Sequence, residues 1–250
     1  MENQVPLSTH SRFAVRMPEL KGVVFDLDGV LVDTARFHDQ AWAELANGLG
    51  YQLQEHDRHA LKGRSRADSL DYILAQAGWE TANLEQKSRW MQAKNTRYLE
   101  LVESLTPRDT LAGAVAFLTE LREHGVGLAL GSSSQNAAVV LRRIGLDGFF
   151  DTVVDGTRTV RSKPDPEVFL LAASDMGLSP EQCWVVEDAA AGVEAALAGG
   201  FGVVGLGNPE VLHRAHRVVS DLSLLNLKLL TEWHRQRNPS HQDEQDSPSV

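Results

Sequence analysis

The chain has 250 residues, of which 42% are hydrophobic and 23% are charged, proportions that are ordinary for a globular protein. Its formal net charge of -10 argues against nucleic acid or an anionic membrane as the main partner. No apolar run approaches the ~20 residues of a membrane helix, no signal-peptide segment opens the chain, and Cys183 is the only cysteine. These features predict a cytoplasmic protein without internal disulfides, and we expect it to be a monomer.

Both ends of the chain are polar, which predicts a flexible leader over residues 1–19 and a disordered tail over residues 235–250. Between the ends, short apolar runs alternate with amphipathic stretches. The runs cover residues 23–25, 127–130, 150–154, 184–186 and 202–205. Buried strands that alternate with helices predict an α/β fold, with a doubly wound, Rossmann-like parallel sheet covered on both faces.

The stretch 36–104 interrupts this alternation, since it has helical periodicity, many charges and almost no strand-like run. It predicts a helical cap domain inserted after the first strand. The core domain then comprises residues 20–35 and 105–234. Because ligands of doubly wound sheets bind beyond the carboxyl ends of the strands, this cap is placed to act as a lid.

A pair of carboxylates, Asp26 and Asp28, comes directly after the first predicted strand. One carboxylate of such a pair can attack phosphorus, while the other moves the proton of an alcohol. Gly29 permits the sharp turn that holds both near one point. An acidic loop that only caps a helix is the structural alternative.

Three further polar clusters follow later strands. The serine-rich stretch 131–136 suits a phosphate at a helix N-terminus, or is a simple N-cap. Lys163, between two prolines, offers a positive charge to phosphoryl oxygens, or belongs to a loop that leads into a helix. Glu187 and Asp188 can join Asp26 in the oxygen site that Mg²⁺ prefers, or form a solvated cap. Together, in this order and each at a strand end, the clusters predict a phosphoryl-transfer site.

The ordered set Asp26-Leu27-Asp28-Gly29, Ser132, Lys163 and Glu187-Asp188 resembles the four motifs of the haloacid dehalogenase superfamily over residues 20–220. The resemblance implies that Asp26 is a nucleophile that forms an aspartyl-phosphate and that Asp28 is a general acid and base. It implies that Mg²⁺ is surrounded by Asp26, the Asp28 carbonyl, Glu187 and Asp188. It also implies that Ser132 and Lys163 hold the transferring phosphate.

The predicted cap has a polar pattern of its own. Thr34, His38 and Trp42 recur at helical spacing and share one face of a helix. The basic loop 61–66 concentrates the positive charge that an acidic protein needs for an anionic substrate, and Arg suits bidentate phosphate binding. Ordinary solvated helix surface is the structural alternative.

This pattern, with Lys94 and Asn95, resembles the β-phosphoglucomutase family over residues 33–98. The resemblance implies conversion of β-glucose 1-phosphate to glucose 6-phosphate through a bound 1,6-bisphosphate. Arg66, Ser134 and Asn136 would hold the non-transferring phosphate. Thr34, His38 and Lys94 would couple cap closure to Asp28, and Trp42, Lys62, Gly63 and Ser69 would belong to the substrate side of the cap. Arg64 and Gln135 depart from the family pattern and leave the exact sugar open.

Three alternatives remain. The first is a sugar-phosphate phosphatase of the same fold, which needs neither a second phosphate site nor the exclusion of water. The second is a phosphonatase, which requires a Schiff-base lysine such as Lys62 or Lys94. The third is a non-catalytic phosphosugar-binding regulator, which would be free to lose one of the core motif residues. The mutase fits best because a closing lid protects an aspartyl-phosphate from water.

Overall fold

A computed structural model of the chain describes residues 19–79 and 81–238. Residues 1–18 of the predicted leader and residues 239–250 of the predicted tail lie outside this part. Within it, one parallel sheet contains six strands. They are β1 (Gly22–Phe25), β2 (Gly127–Gly131), β3 (Thr152–Val154), β4 (Cys183–Glu187), β5 (Gly202–Leu206) and β6 (Arg217–Val219).

Helices separate most of these strands in the chain. They are α1 (Ala35–Gly48), α2 (Glu55–Leu61), α3 (Arg66–Gln76), α4 (Leu84–Val102), α5 (Ala114–Glu123), α6 (Ala137–Ile144), α7 (Glu167–Asp175), α8 (Ala190–Ala198) and α9 (Leu227–Arg237). Helices α1 to α4 all lie between β1 and β2, where the sequence predicts the cap. Over the described ranges, none of the helices has the length and apolar character to cross a membrane.

The strands stand in the order β3-β2-β1-β4-β5-β6. The chain therefore builds outward from β1 to β3, returns to the other side of β1, and builds outward again through β6. In sheets of this order, ligands bind at the carboxyl ends of the strands where the direction reverses. That place lies between the ends of β1 and β4, where Asp26 follows one strand and Glu187 ends the other.

Successive side chains of β1 point to opposite faces of the sheet, and each face has its own hydrophobic cluster. Val23 and Phe25 pack in one cluster with residues of α5, α6 and α9. Val24 packs in the other with residues of α7 and α8. Helices thus cover both faces, and the predicted doubly wound α/β fold is confirmed.

The cap helices share a third hydrophobic cluster, which includes Trp42 of α1, Leu61 of α2, and Leu70 and Ile73 of α3. Burial of each large apolar side chain contributes roughly 1.5–3 kcal/mol, so this cluster alone gives the cap substantial internal stability. Helices α1 and α4 also reach the sheet cluster through Phe37 and other residues. The cap is therefore packed internally and is also anchored to the core.

A buried carboxylate, Asp57, ties the cap helices together. Its oxygens accept hydrogen bonds from the Gln54 backbone amide and from the Tyr51 and Tyr72 hydroxyls, each at 2.7 Å. Burial by itself would raise the pKa of Asp57. These hydrogen bonds together have a larger, opposite effect, so the pKa lies below its ordinary value. The ionised form of Asp57 is thus the form that stabilises the fold.

We expect Asp57→Asn to lower the free energy of unfolding by about 2 kcal/mol at pH 7, because an amide nitrogen cannot accept these hydrogen bonds. Since the folded-state pKa is depressed, this stability is present above the unfolded pKa of about 3.9 and is lost as pH falls through the folded value. Urea unfolding of both proteins at neutral and acidic pH measures the difference, which should shrink below about pH 4. Asp71→Asn, at a largely exposed carboxylate, serves as the control. A difference that does not change with pH would contradict the role of the ionised carboxylate.

The structure contains a strand that the sequence analysis does not predict. Strand β6 has three residues and pairs with β5 at the edge of the sheet. Its first residue, Arg217, is exposed. A strand this short, with a charged residue and little buried surface, has no apolar run that sequence patterning can detect.

The predicted start of the disordered tail at residue 235 is wrong, because α9 continues to Arg237. Two polar contacts hold this last turn against the core. The Arg237 guanidinium donates to the Gly200 carbonyl, and the Gln236 amide oxygen accepts from Arg217 at 2.7 Å. The folded core therefore extends beyond residue 234, and polar contacts rather than apolar residues carry the extension.

Candidate active site

The Asp26 carboxylate lies at the centre of the sheet edge, directly after β1. Its side chain is buried, and its backbone amide donates to the Val186 carbonyl of β4 at 3.0 Å. The chain then turns at Gly29, which has a φ of 86°. A Cβ at Gly29 would lie 2.1 Å from Asp188 Oδ2, so only glycine lets this loop approach Asp188 so closely.

Lys163 is buried between two carboxylates. Its Nζ lies 2.6 Å from Asp26 Oδ1 and 2.6 Å from Glu187 Oε1. Burial lowers the pKa of Lys163, but the two carboxylates outweigh this effect and raise it, so the ammonium form is held. Burial raises the pKa of Asp26 well above its ordinary value, against the opposing effect of Lys163. Lys163 therefore keeps a positive charge beside the predicted nucleophile.

Glu187 is fully buried, and both of its carboxylate oxygens have protein partners. Oε1 binds Lys163, and Oε2 accepts from the Ala189 backbone amide at 2.7 Å. A Cβ at Gly192 would lie 1.8 Å from Oε1, so a glycine in α8 leaves the space that this side chain occupies. In this arrangement Glu187 positions Lys163.

The Asp28 carboxylate is held by two side chains of the predicted cap face. The Thr34 hydroxyl donates to Asp28 Oδ1, and His38 Nε2 lies 3.7 Å from the same oxygen. Burial by itself would raise the pKa of Asp28. His38, Thr34 and the more distant Lys94 together have a larger, opposite effect, so the pKa lies below its ordinary value. Asp28 is therefore ionised and able to accept a proton.

Lys94 and Tyr98 of α4 hold His38 in this position. Lys94 Nζ lies 2.7 Å from His38 Nδ1, and the Tyr98 ring stacks on the imidazole with centroids 4.0 Å apart. Burial and the charge of Arg66 lower the pKa of Lys94 to about 7. A charged Lys94 donates to Nδ1, which leaves the Nε2 proton directed towards Asp28. Sequence analysis does not identify Tyr98, although its spacing of four residues from Lys94 places both on one helix face.

The serine-rich loop after β2 connects the core to the cap. Buried Ser132 accepts from the Ser134 amide at 3.1 Å, and Ser134 accepts from the Asn136 amide at 3.2 Å. The Ser133 hydroxyl donates to the Gly63 carbonyl at 2.9 Å. The side-chain amide of Asn136, through Nδ2, donates to Asn95 Oδ1 at 2.8 Å. Two hydrogen bonds thus join this core loop to the cap.

One enclosed cavity of about 90 Å³ lies between the core and the cap. The predicted site residues on its wall are Asp26, Asp28, His38, Trp42, Lys62, Gly63, Arg66, Ser69, Lys94, Ser134 and Asp188. The predicted residues away from the wall are Thr34, Ser132, Asn136, Lys163 and Glu187. The first four hydrogen-bond a wall residue, and Glu187 is connected to the wall through Lys163. The wall residues that sequence analysis does not assign a role are Ala35, Asp39, Leu61, Arg64, Ser133 and Gln135.

The cavity is smaller than the roughly 300–1,000 Å³ of ordinary small-molecule pockets. Lys62 of the cap also contacts Asp188 of the core, with Nζ 3.0 Å from Oδ2. The cap is therefore closed, and it must move to admit a ligand of ordinary size. A wider, open groove of about 1180 Å³ adjoins the cavity, and Arg64 lies on the wall of both.

The oxygen donors at this edge of the sheet suit a hard divalent cation such as Mg²⁺. Asp26, Asp28 and Asp188 line the same cavity, and burial together with Glu187 raises the pKa of Asp188 to about 6. Within residues 19–79 and 81–238, no three His, Cys, Asp or Glu side chains converge in the geometry of a metal cluster. Ammonium groups contact the carboxylates instead. The carboxylate oxygens fit Mg²⁺ by their chemistry, because several negative charges lie close together and a neighbouring positive charge stabilises them.

Comparisons with known proteins identify the family of this chain. The sequence profile of the haloacid dehalogenase-like hydrolases matches residues 20–200. A β-phosphoglucomutase from Bacillus subtilis (strain 168) is 39% identical over 220 residues, covering 87% of this chain and 97% of that protein. A fructose-1-phosphate phosphatase from Escherichia coli (strain K12) is 34% identical over 185 residues, covering 73% and 94%.

A solved structure shows the same fold. The crystal structure of β-phosphoglucomutase from Clostridium difficile has a TM-score of 0.85 and 34% sequence identity, and the match covers 87% of this chain and 98% of that one. The motif resemblance is therefore confirmed over most of the chain. This chain belongs to the haloacid dehalogenase-like hydrolase family.

Proposed function

We propose that the chain is an Mg²⁺-dependent β-phosphoglucomutase, which converts β-glucose 1-phosphate to glucose 6-phosphate through β-glucose 1,6-bisphosphate. The similarity to β-phosphoglucomutases of Bacillus subtilis and Clostridium difficile supports this reaction. The mixture of acidic and basic side chains on the cavity wall supports a small phosphorylated sugar as the substrate, which would enter when the cap opens. Closure of the cap over a bound sugar would displace water and so protect an aspartyl-phosphate from hydrolysis.

One observation carries the proposal. Asp28, the predicted acid and base, is bound by Thr34 and faced by His38, and Lys94 supports His38 from behind. His38 and Lys94 belong to the predicted cap, and Thr34 lies at the junction that leads into it, as the N-cap residue of α1. Asp28 therefore takes up this arrangement when the cap is closed, which couples proton transfer to the exclusion of water.

The first half of the reaction starts from enzyme that is phosphorylated on Asp26. The Asp28 carboxylate takes the proton of the sugar C6 hydroxyl while that oxygen attacks phosphorus and the bond between phosphorus and Asp26 breaks. The products are the 1,6-bisphosphate, a free Asp26 carboxylate and a protonated Asp28. The lowered pKa of Asp28 supports its role as the base in this step.

The second half transfers the other phosphate. After the bisphosphate has turned round, an Asp26 oxygen attacks the phosphorus at C1, and the bond from that phosphorus to the C1 oxygen breaks. Asp28 gives its proton to the departing oxygen. Glucose 6-phosphate leaves, and the phosphorylated Asp26 is restored for the next turnover.

Each half requires that the second phosphate be held away from Asp26. Arg66 and Ser134 line the cavity and are the groups we assign to this phosphate, together with the nearby Asn136. Ser65 caps α3 by accepting from the Asp68 amide at 3.1 Å, which fixes Arg66 at the start of that helix. An arginine held at a helix N-terminus is suited to bind a phosphate.

Asp26, the Asp28 carbonyl and Asp188 are the groups that we expect to hold Mg²⁺; Glu187, which the family resemblance also implies, has its two oxygens bound by Lys163 and by the Ala189 amide. When bound, the ion neutralises the negative charge that accumulates as carboxylate and phosphoryl oxygens approach each other. Glu187 contributes by holding Lys163, whose ammonium group is placed to contact a phosphoryl group on Asp26. With Ser132, Lys163 would hold the transferring phosphate.

A sugar-phosphate phosphatase is the second candidate, supported by the similarity to a fructose-1-phosphate phosphatase of Escherichia coli. In this reaction a water molecule, in place of the sugar C6 hydroxyl, attacks the phosphoryl group on Asp26. Asp28 would take its proton, and the phosphoryl group would leave Asp26 as inorganic phosphate. The two functions differ in whether the closed cavity admits water.

The test uses purified protein, Mg²⁺, β-glucose 1-phosphate and a trace of the 1,6-bisphosphate, with glucose 6-phosphate and inorganic phosphate measured together. We expect rapid formation of glucose 6-phosphate with little release of phosphate. Release of phosphate without isomerisation would overturn the mutase and support the phosphatase. Isomerisation that does not require Mg²⁺ would overturn the assignment of the metal.

A further inference from the structure

Asp39 is an additional carboxylate on the wall of the active-site cavity. It belongs to α1 and follows His38, and the positive charges of Arg58 and Lys62 act on it. The Asp39 side chain retains 32% of its exposure. The carboxylate oxygens of Asp39 are therefore accessible to a ligand in the cavity.

The only ion pair that the described residues give Asp39 is a long one. Arg58 Nη1 of α2 lies 3.7 Å from Asp39 Oδ2, beyond the 2.7–3.2 Å of a good hydrogen bond. Lys62, also on the cavity wall, contributes a positive charge nearby but directs its Nζ to Asp188 at 3.0 Å. A carboxylate accepts about four hydrogen bonds, so Asp39 retains capacity for a ligand.

The charges in the cavity limit what that ligand can be. A phosphate is disfavoured at Asp39, because two negative groups repel each other. A cationic ligand is disfavoured at Asp39 because the positive charges of Arg58 and Lys62 already lie beside this carboxylate. An uncharged hydrogen-bond donor remains, and the hydroxyl groups of a sugar have this chemistry.

We propose that Asp39 is a specificity-determining residue that accepts a hydrogen bond from a hydroxyl of the sugar ring. The proposal rests on the proposed function, because it takes a phosphorylated sugar as the substrate. Asp39 binds the uncharged part of the sugar, and its charge keeps phosphate away from this side of the cavity. Sugars that lack the recognised hydroxyl are then discriminated by this one contact.

The experiment combines Asp39→Ala and Asp39→Asn with the 2-, 3- and 4-deoxy β-glucose 1-phosphates, which keep the C6 hydroxyl that attacks phosphorus, and with an aryl phosphate without hydroxyls. Total consumption of each substrate is measured as kcat/KM, so the result is the same for a mutase or a phosphatase. Wild type should prefer the full sugar over one deoxy sugar by roughly 10- to 100-fold, the range of a hydrogen bond to a charged group. In Asp39→Ala, the preference for the full sugar over that deoxy sugar should fall below about threefold. The same variant should hydrolyse the aryl phosphate as fast as wild type. Asp39→Asn, which keeps one acceptor oxygen, should lie between them.

Asp71→Ala is the matched control, since Asp71 is a cap carboxylate that pairs with Lys87 at 2.7 Å and lies outside this cavity. Equal losses of Asp39→Ala on every substrate, including the aryl phosphate, would show a structural role and overturn the proposal. Unchanged discrimination among the deoxy sugars would overturn it too. A wild type that releases phosphate without isomerising the sugar would overturn the mutase alone, since the comparison of deoxy sugars still reports on Asp39.

Discussion

Asp26→Asn should lower turnover at least about 10⁴-fold, on sugar phosphates and aryl phosphates alike, because an amide cannot form the covalent intermediate. The substitution keeps the shape of the side chain and an oxygen that Lys163 can contact. The variant should therefore remain folded, and removing the charge of a buried carboxylate relieves its desolvation. Steady-state assays on both substrate types, with thermal unfolding in parallel, measure the effect.

A second measurement identifies the covalent step. Wild type that is quenched during turnover should gain the mass of one phosphoryl group on the peptide containing Asp26, and Asp26→Asn should not. Asp71→Asn, a carboxylate of the cap surface, should leave both mass and turnover unchanged. Activity of Asp26→Asn within about tenfold of wild type would remove Asp26 from the role of nucleophile.

Arg66→Ala should reduce isomerisation roughly 100-fold or more, while hydrolysis of an aryl phosphate changes less than about threefold. The reason is that an aryl phosphate occupies only the site next to Asp26, whereas a sugar bisphosphate also requires the second phosphate site. Arg66 is half-buried on the cavity wall, so its guanidinium acts where water is scarce. Parallel kcat/KM values for the two substrates give the ratio.

The control is Arg89→Ala, at an exposed position of α4 away from the cavity, which should have no effect on either activity. Arg66→Lys should recover part of the isomerisation, because lysine supplies the charge without the bidentate geometry. Equal losses of both activities in Arg66→Ala would mean that Arg66 supports the whole site rather than the second phosphate.

The core of the site is predictable because its residues are placed by strand ends. Asp26 and Asp28 are two residues apart, and both line the cavity. In a parallel sheet the carboxyl ends of all strands meet at one edge, so clusters that are distant in the chain converge there. Strand prediction alone therefore brings Asp26 and Asp188 to the same edge, whereas Lys163 reaches it through the loop between β3 and α7.

The sequence alone does not show that Glu187 and Asp188 have different roles. They are adjacent, and their side chains diverge, since successive side chains at the end of a strand point in opposite directions. Asp188 lines the cavity, whereas Glu187 is fully buried against Lys163. The sequence shows two acidic residues at a strand end, and only the packing shows that Glu187 pairs with Lys163 of the core while Asp188 pairs with Lys62 of the cap.

The cap is predictable as helices and faces but not as contacts. The spacing of Thr34, His38 and Trp42 places them on one face of α1, and the structure brings Thr34 and His38 to Asp28. The stacking of Tyr98 on His38 depends on how α4 packs against α1. Spacing within one helix cannot show which face of a second helix meets it.

The sequence by itself determined the fold class, the insertion after the first strand and the order of the catalytic motifs, because periodicity and strand ends are local properties of the chain. Tertiary structure alone decided that Lys163 lies between Asp26 and Glu187, that Asn136 binds Asn95 of the cap, and that Asp39 faces the cavity. These contacts join residues far apart in the chain. Their geometry depends on how helices and loops pack against one another, and differences of a few ångströms decide whether a polar group is paired, buried or free to bind a substrate.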